Sequence, residues 1–166
     1  MKTDKIYLVG FMAVGKTTLA KALAQRLDWR FEDIDELIEA REHRTVASIF
    51  AREGEPYFRA VERQVLHDLL PVRHAVVATG GGTFVEPVSR EIINRDGVSV
   101  WVDLPLEQVV LRLPPDGRRP LAADRAQLER LYETRRLAYQ DAHFRLEAGR
   151  ARVDELVERV AEWVGH

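Results

Sequence analysis

The 166 residues carry 25 Lys and Arg against 27 Asp and Glu, a formal net charge of -2, with 46% hydrophobic and 31% charged residues. That describes one ordinary domain, residues 1–166, large enough for a real core, and it offers nucleic acid or an anionic membrane no electrostatic hold. The chain has no cysteine, which excludes a disulfide framework and a thiolate metal site, and no apolar run of signal-peptide or membrane-spanning length, so the expected location is cytoplasmic.

Strand-like and helix-like stretches alternate along the chain. Residues 6–9 are an apolar run with the look of a buried strand, and residues 18–27 carry apolar positions at helical spacing. Residues 30–35 read as a short strand ending in acidic groups. Residues 36–41 and 46–52 read as short helices, the second with Thr45 as N-cap. Gly54 interrupts, and Pro56 opens a longer helix to about Leu70, with Phe58, Val61, Val65, Leu66 and Leu69 on one face. A buried strand over 75–78 runs into Gly80-Gly81-Gly82. Residues 87–95 are helical, 98–102 form a strand closed by Asp103, and 106–113 are helical. Pro114-Pro115-Asp116-Gly117-Arg118-Arg119-Pro120 predicts a mobile, solvent-facing loop. Residues 124–143 predict a long amphipathic helix with Leu128, Leu131, Leu137 and Ala138 inward, followed by a strand over 144–147 and a helix over 153–164. Five strands alternating with helices imply an α/β three-layer sandwich around a parallel sheet. Its ligands belong at the carboxyl ends of the strands. One rim then collects residues 10–17, 33–35, 80–82 and 103–104.

Residues 10–17, GFMAVGKT, match G-x-x-x-x-G-K-[ST] without a mismatch, between a strand and a helix. Two glycines let backbone N–H groups turn inward, the helix adds its N-terminal partial charge, and Lys16 brings a full charge toward outer phosphates. The Thr17 hydroxyl suits a magnesium ion. Asp33 and Asp35, two apart on an extended strand, share a face and call for a cation between them. Asp33 is the candidate metal-side carboxylate, because residues 75–78 end in Thr79 rather than an acid. Asp35 is either a substrate-binding general base or a solvated charge at a helix start. Three glycines after a buried strand let a ligand approach backbone N–H groups. Arg59 and Glu62, three apart on a helix, are either a surface pair or, if Arg59 faces the cleft, a braced guanidinium for a carboxylate. Arg118 and Arg119 lie where a closing lid would stabilise a transferring phosphoryl group, or on a plain exposed loop. The five histidines show no ligand spacing, and Trp29, Trp101 and Trp163 read as packing residues.

Taken together, GFMAVGKTT (10–18), FEDID (31–35), SIFAREGEPYFRAVE (48–62), ATGGG (78–82), RRPL (118–121) and RRLAY (135–139) resemble the shikimate kinase family over nearly the whole chain. The resemblance implies a phosphate-loop kinase of the nucleoside-monophosphate-kinase-like type, with a substrate-binding region at about 33–62 and a mobile lid at about 113–124. It implies transfer of the ATP γ-phosphoryl group to the 3-hydroxyl of shikimate, in the route to chorismate and the aromatic amino acids. Carried over by position, Ala13, Val14, Gly15, Lys16, Thr17, Thr18, Arg112 and Arg119 would hold ATP. Thr17 and Asp33 would hold Mg2+. Asp35, Arg59, Gly81 and Arg135 would bind shikimate, and Lys16, Asp35 and Arg119 would be catalytic. The implied partners are shikimate and ATP, with no nucleic acid and no membrane, and a monomer suffices. Two readings compete: a small-metabolite kinase of the gluconate type, and a non-catalytic nucleotide-binding switch on the same fold. Ala13-Val14 stands where the family usually has Gly-Ala, and a left-handed backbone at Ala13 would cost alanine about 1 kcal/mol. Arg135 and Arg136 compete for the substrate, with the spacing to Tyr139 favouring Arg135.

Overall fold

The computed structural model describes residues 3–113 and 125–166. Five parallel strands, β1 (Lys5–Val9), β2 (Arg30–Asp33), β3 (Ala75–Ala78), β4 (Val98–Asp103) and β5 (Phe144–Glu147), lie in the order β2-β3-β1-β4-β5. The three inner strands are buried along their whole length, which is why they read as unbroken apolar runs rather than alternating ones. The helices are α1 (Lys16–Leu27), α2 (Ile34–Glu42), α3 (Val46–Glu53), α4 (Glu55–Leu69), α5 (Pro87–Asp96), α6 (Leu106–Arg112), α7 (Arg125–Tyr139) and α8 (Val153–Val164), with a 3-10 turn at Thr83–Val85. The chain moves one way along the sheet from β1 to β2 and the other way from β3 to β4. Right-handed crossovers therefore put α1 and α5 on opposite faces. α8 packs on α1, and α4 packs on α5. No helix among the described residues is long and apolar enough to cross a membrane.

Two elements differ from expectation. The second strand ends at Asp33, not residue 35, because the Asp33 carboxylate accepts the Glu36 backbone N–H (3.2 Å) and caps α2. Asp35 therefore sits in the first turn of a helix, and the shared-face argument for the two aspartates fails. Helix α7 stops at Tyr139 rather than 143, where residues 140–142 close in tight turns. Its inner face is Leu128, Tyr132 and Tyr139, whereas Leu137 is 68% exposed. The predicted lid, including Arg118 and Arg119, lies outside the described residues apart from Leu113.

The amino end of the sheet is pinned by charge. Lys5, fully buried, places its ammonium 2.7 Å from Asp96 Oδ2 and donates to the Leu69 carbonyl. The Tyr7 hydroxyl donates to the same carboxylate oxygen (2.6 Å), and Arg73 Nη1 reaches Asp96 Oδ1 (2.7 Å). Tyr7→Phe should cost about 1.5–3 kcal/mol in urea unfolding, the value of a hydrogen bond to a charged group. Because this cluster lies at the opposite end of the strands from the ligand rim, steady-state constants of the variant should match the wild type. A shifted KM would show that the two ends are coupled.

Candidate active site

β1 delivers the chain into the phosphate loop, and α1 carries it away. Ala13 takes a left-handed backbone (φ 61°), so the alanine cost foreseen from sequence is real, and Gly15 follows at φ 91°. The loop is anchored through Val14, whose side chain is buried and whose carbonyl accepts from Arg112 Nη1 (3.2 Å). α1 begins with no side-chain cap and no acidic residue in its first turn. Its leading N–H groups thus face the loop without a side-chain acceptor, the condition under which a helix start takes an anion. Lys16 is folded onto its own loop, donating to the carbonyls of Gly10 (2.6 Å) and Phe11 (2.7 Å). The Thr17 hydroxyl donates to Asp33 Oδ2 (3.0 Å), so the two candidate metal ligands are already in contact.

The second half of the site comes from α4, the turn after β3, and α7. Arg59 is buried and points inward, held by both oxygens of Glu62 (3.0 and 3.1 Å) and by Glu55 (3.3 Å). Arg135 lies over the Phe11 ring, 5.8 Å from its centroid, and no carboxylate pairs with it among the described residues. Burial, with the neighbouring Arg59 charge adding to it, pushes the Arg135 guanidinium below its ordinary range. A pocket with two guanidinium cations and carboxylates bound only to Arg59 carries charge that an incoming anion would satisfy. Arg136 faces elsewhere. It pairs with Asp103 (2.9 Å), meets the Tyr132 hydroxyl (3.0 Å) and covers Trp101. Asp103 is taken up by Arg136 and Arg145, which removes it from the ligand rim.

Each of the three glycines makes room for a different side chain. A Cβ on Gly80 would stand 3.0 Å from Asp35 Oδ1, one on Gly81 2.9 Å from Arg135 Nη1, and one on Gly82 2.2 Å from Arg59 Nη2. The Tyr139 hydroxyl fixes this turn to α7 by donating to the Gly81 carbonyl (2.6 Å). Asp35 stands between the halves. Met12, Asp35, Gly80 and Gly81 line both a cavity of about 280 Å³ around the phosphate loop and one of about 190 Å³ holding Arg59 and Arg135. A further space of about 810 Å³ opens beyond the two arginines, walled by Phe50, Val85 and Leu131. Burial, then the charges of Asp33 and Glu62, push the Asp35 carboxyl up to about 6, with Lys16 opposing them. Sequence reasoning used Tyr139 only as a spacing mark and Phe11 only as a loop position, and it gave neither of them, nor Thr83, a part in this site. Tyr139 has a legible signal, lying one helical turn after Arg135. The other two have none.

Among the described residues no three His, Cys, Asp or Glu converge to cage a metal. The hydroxyl of Thr17 and the carboxylate of Asp33 are hard oxygen donors beside the phosphate loop, which fits Mg2+ carried in with a nucleotide and keeping most of its waters.

Fold and site together define a small-molecule kinase of the phosphate-loop class. The sequence model of the shikimate kinase family matches residues 12–165. The shikimate kinase of Sulfurihydrogenibium sp. is 37% identical over 156 residues, covering 93% of this chain and 94% of that protein. The shikimate kinase of Persephonella marina is 39% identical over 142 residues, covering 85% and 87%. The solved structure of Acinetobacter baumannii shikimate kinase in complex with shikimate superposes with a TM-score of 0.91 at 33% identity, covering 98% of this chain and 93% of that one. The chain belongs to the shikimate kinase family. That decides against the gluconate-type kinase and against a non-catalytic switch.

Proposed function

We propose that this protein transfers the γ-phosphoryl group of ATP to the 3-hydroxyl of shikimate, giving shikimate 3-phosphate and ADP for aromatic amino acid biosynthesis, in the cytoplasm where ATP is supplied. The observation that carries the reading is Asp35 on the wall shared by the phosphate cavity and the two-arginine cavity. A group there touches both the donor and the acceptor side of an in-line transfer.

In this reading the N–H groups of residues 13–18 receive the phosphates, and Lys16 moves from the Gly10 and Phe11 carbonyls onto the outer ones. Arg112 sits beside the loop where it can face the nucleotide base. Arg59 and Arg135 grip the shikimate carboxylate, and the Gly81 N–H supports a hydroxyl. Asp35 takes the proton of the 3-hydroxyl as its oxygen bonds to the γ-phosphorus and the bond to the ADP oxygen breaks. Thr17 and Asp33 would hold Mg2+, which supplies charge neutralisation on the phosphates. Arg119, which lies outside the described residues, would by the family resemblance do the same for the transferring group. Every side chain named belongs to one chain, so a monomer suffices.

The test is ADP release with Mg2+ and ATP, with shikimate and with gluconate in parallel. Turnover with shikimate alone is expected, and turnover with gluconate alone would overturn the assignment. In the same assay Arg135→Ala should raise the shikimate KM by about tenfold or more, because a charge-assisted pair is lost. Arg136→Ala should leave that KM near the wild-type value and lower the melting temperature. The reverse pattern would exchange their roles.

A further inference from the structure

Thr83 lies in the 3-10 turn behind the three glycines and is fully buried. Its hydroxyl accepts the Gly80 backbone N–H (3.0 Å). The same oxygen lies 2.8 Å from Glu62 Oε2 as donor. A hydroxyl has one proton. With a lone pair committed to the Gly80 N–H, that proton is aimed at the carboxylate. Glu62, itself fully buried, then receives Arg59 Nη1 on both oxygens. The result is a chain of hydrogen bonds between two elements that converges on the Glu62 carboxylate: Gly80 and Thr83 donate toward it from the turn after β3, and Arg59 donates to it within α4. Arg59 and Glu62 share a helix, so their own pair fixes only how one leans on the other. Among the described residues, Thr83 is the group that ties that pair to the glycine turn.

We propose that Thr83 is a positioning residue for the acceptor, locking the Gly80 amide to Glu62 and so setting the direction of the Arg59 guanidinium. The proposal rests on the reading that Arg59 grips the acceptor carboxylate. Both ends of the chain are functional surfaces: Gly80 abuts Asp35, and Gly82 abuts Arg59. A rotation of the carboxylate would turn the fork of Arg59 with it, and bidentate recognition of an acceptor carboxylate depends on the plane of that fork. The methyl group of threonine cannot do this work, so the role belongs to the hydroxyl alone.

The experiment compares Thr83→Val, which keeps the shape and removes the hydroxyl, with Thr83→Ser, which keeps the hydroxyl. Thr83→Val is expected to raise the shikimate KM by about tenfold, the loss of one hydrogen bond to a buried charge. Its kcat and its KM for ATP should stay within about twofold, and Thr83→Ser should restore the shikimate KM. A folded Thr83→Val with an unchanged shikimate KM overturns the proposal, whatever its melting temperature. Nuclear magnetic resonance of the wild type gives a second reading that needs neither turnover nor a variant. Slowed rotation of the Arg59 guanidinium and a Gly80 amide protected from hydrogen exchange are expected. A freely rotating guanidinium or an unprotected Gly80 amide overturns the proposal. Wild-type protein that releases no ADP with shikimate would strike at the assigned reaction, and the resonance measurement would still decide the relay.

Discussion

Asp35→Asn is expected to lower kcat with shikimate by about 10²–10⁴-fold, the range for removing a positioned general base, while the KM for ATP changes little. The size follows from where the carboxylate sits. It lines both cavities, and a Cβ on Gly80 would touch it, so a hydroxyl arriving between the arginines and the phosphate loop meets it directly. Asparagine keeps the shape but accepts no proton. The carboxyl, pushed up to about 6 by burial and by Asp33 and Glu62, also fixes the pH dependence. The active form is ionised, so kcat/KM for shikimate should fall as pH drops through about 6 and level off above it. The same shift sets a stability signature of opposite sense. A carboxyl whose folded value lies above its unfolded one binds protons more tightly when folded, so ionising it in place costs stability as pH rises from about 4 through about 6. Asp35→Asn should therefore melt at least as high as wild type at pH 8, with the gap closing toward pH 4. Full turnover by the variant would remove Asp35 from the chemistry. An acid limb that persists in whatever activity the variant retains would assign the titration to another group.

The glycine-bounded loop, the inner strands and the triple glycine were legible because each is dictated by local chemistry. A buried central strand must be apolar on both faces, and a phosphate loop must curl before a helix start. Asp35 was found for an incomplete reason. Two acids two apart look the same at a strand end as across a strand-to-helix junction, and only the Asp33 cap on Glu36 decides between them. The end of α7 was missed because the apolar spacing runs past Tyr139, whereas tertiary contacts close the helix there: Tyr139 on Gly81, and Asn94 on the Asp141 carbonyl (3.0 Å). The choice between two adjacent arginines depends on what lies 100° apart around a helix. Periodicity cannot name those neighbours, and here they are Phe11 on one side and Asp103 with Trp101 on the other. Thr83 had no signal at all, since a threonine after glycines reads as turn composition until its hydroxyl is seen between two elements.

Gly82→Ala is expected to raise the shikimate KM by about a hundredfold with the fold intact. The backbone at Gly82 is one any residue adopts (φ -106°, ψ -4°), so alanine brings no conformational strain. What it brings is one methyl group 2.2 Å from Arg59 Nη2, 2.9 Å from Cζ and 3.1 Å from Nη1. The guanidinium must move, and it is not at liberty to move alone. Glu62 holds it from one side and Glu55 from the other, and Thr83 holds Glu62. Displacement therefore breaks the clamp rather than merely shifting it, and a bidentate contact tolerates little misplacement. The variant should bind ATP normally, since its methyl faces away from the loop cavity, whose lining stops at Gly81. The decisive comparison is the double variant. If Gly82→Ala acts through Arg59, then adding it to Arg59→Ala should cost almost nothing further, because the side chain it displaces is already gone. Additive losses would mean instead that Gly82 meets the acceptor with its own backbone. The three glycines would then be a surface for the substrate first and sockets for its side-chain ligands second.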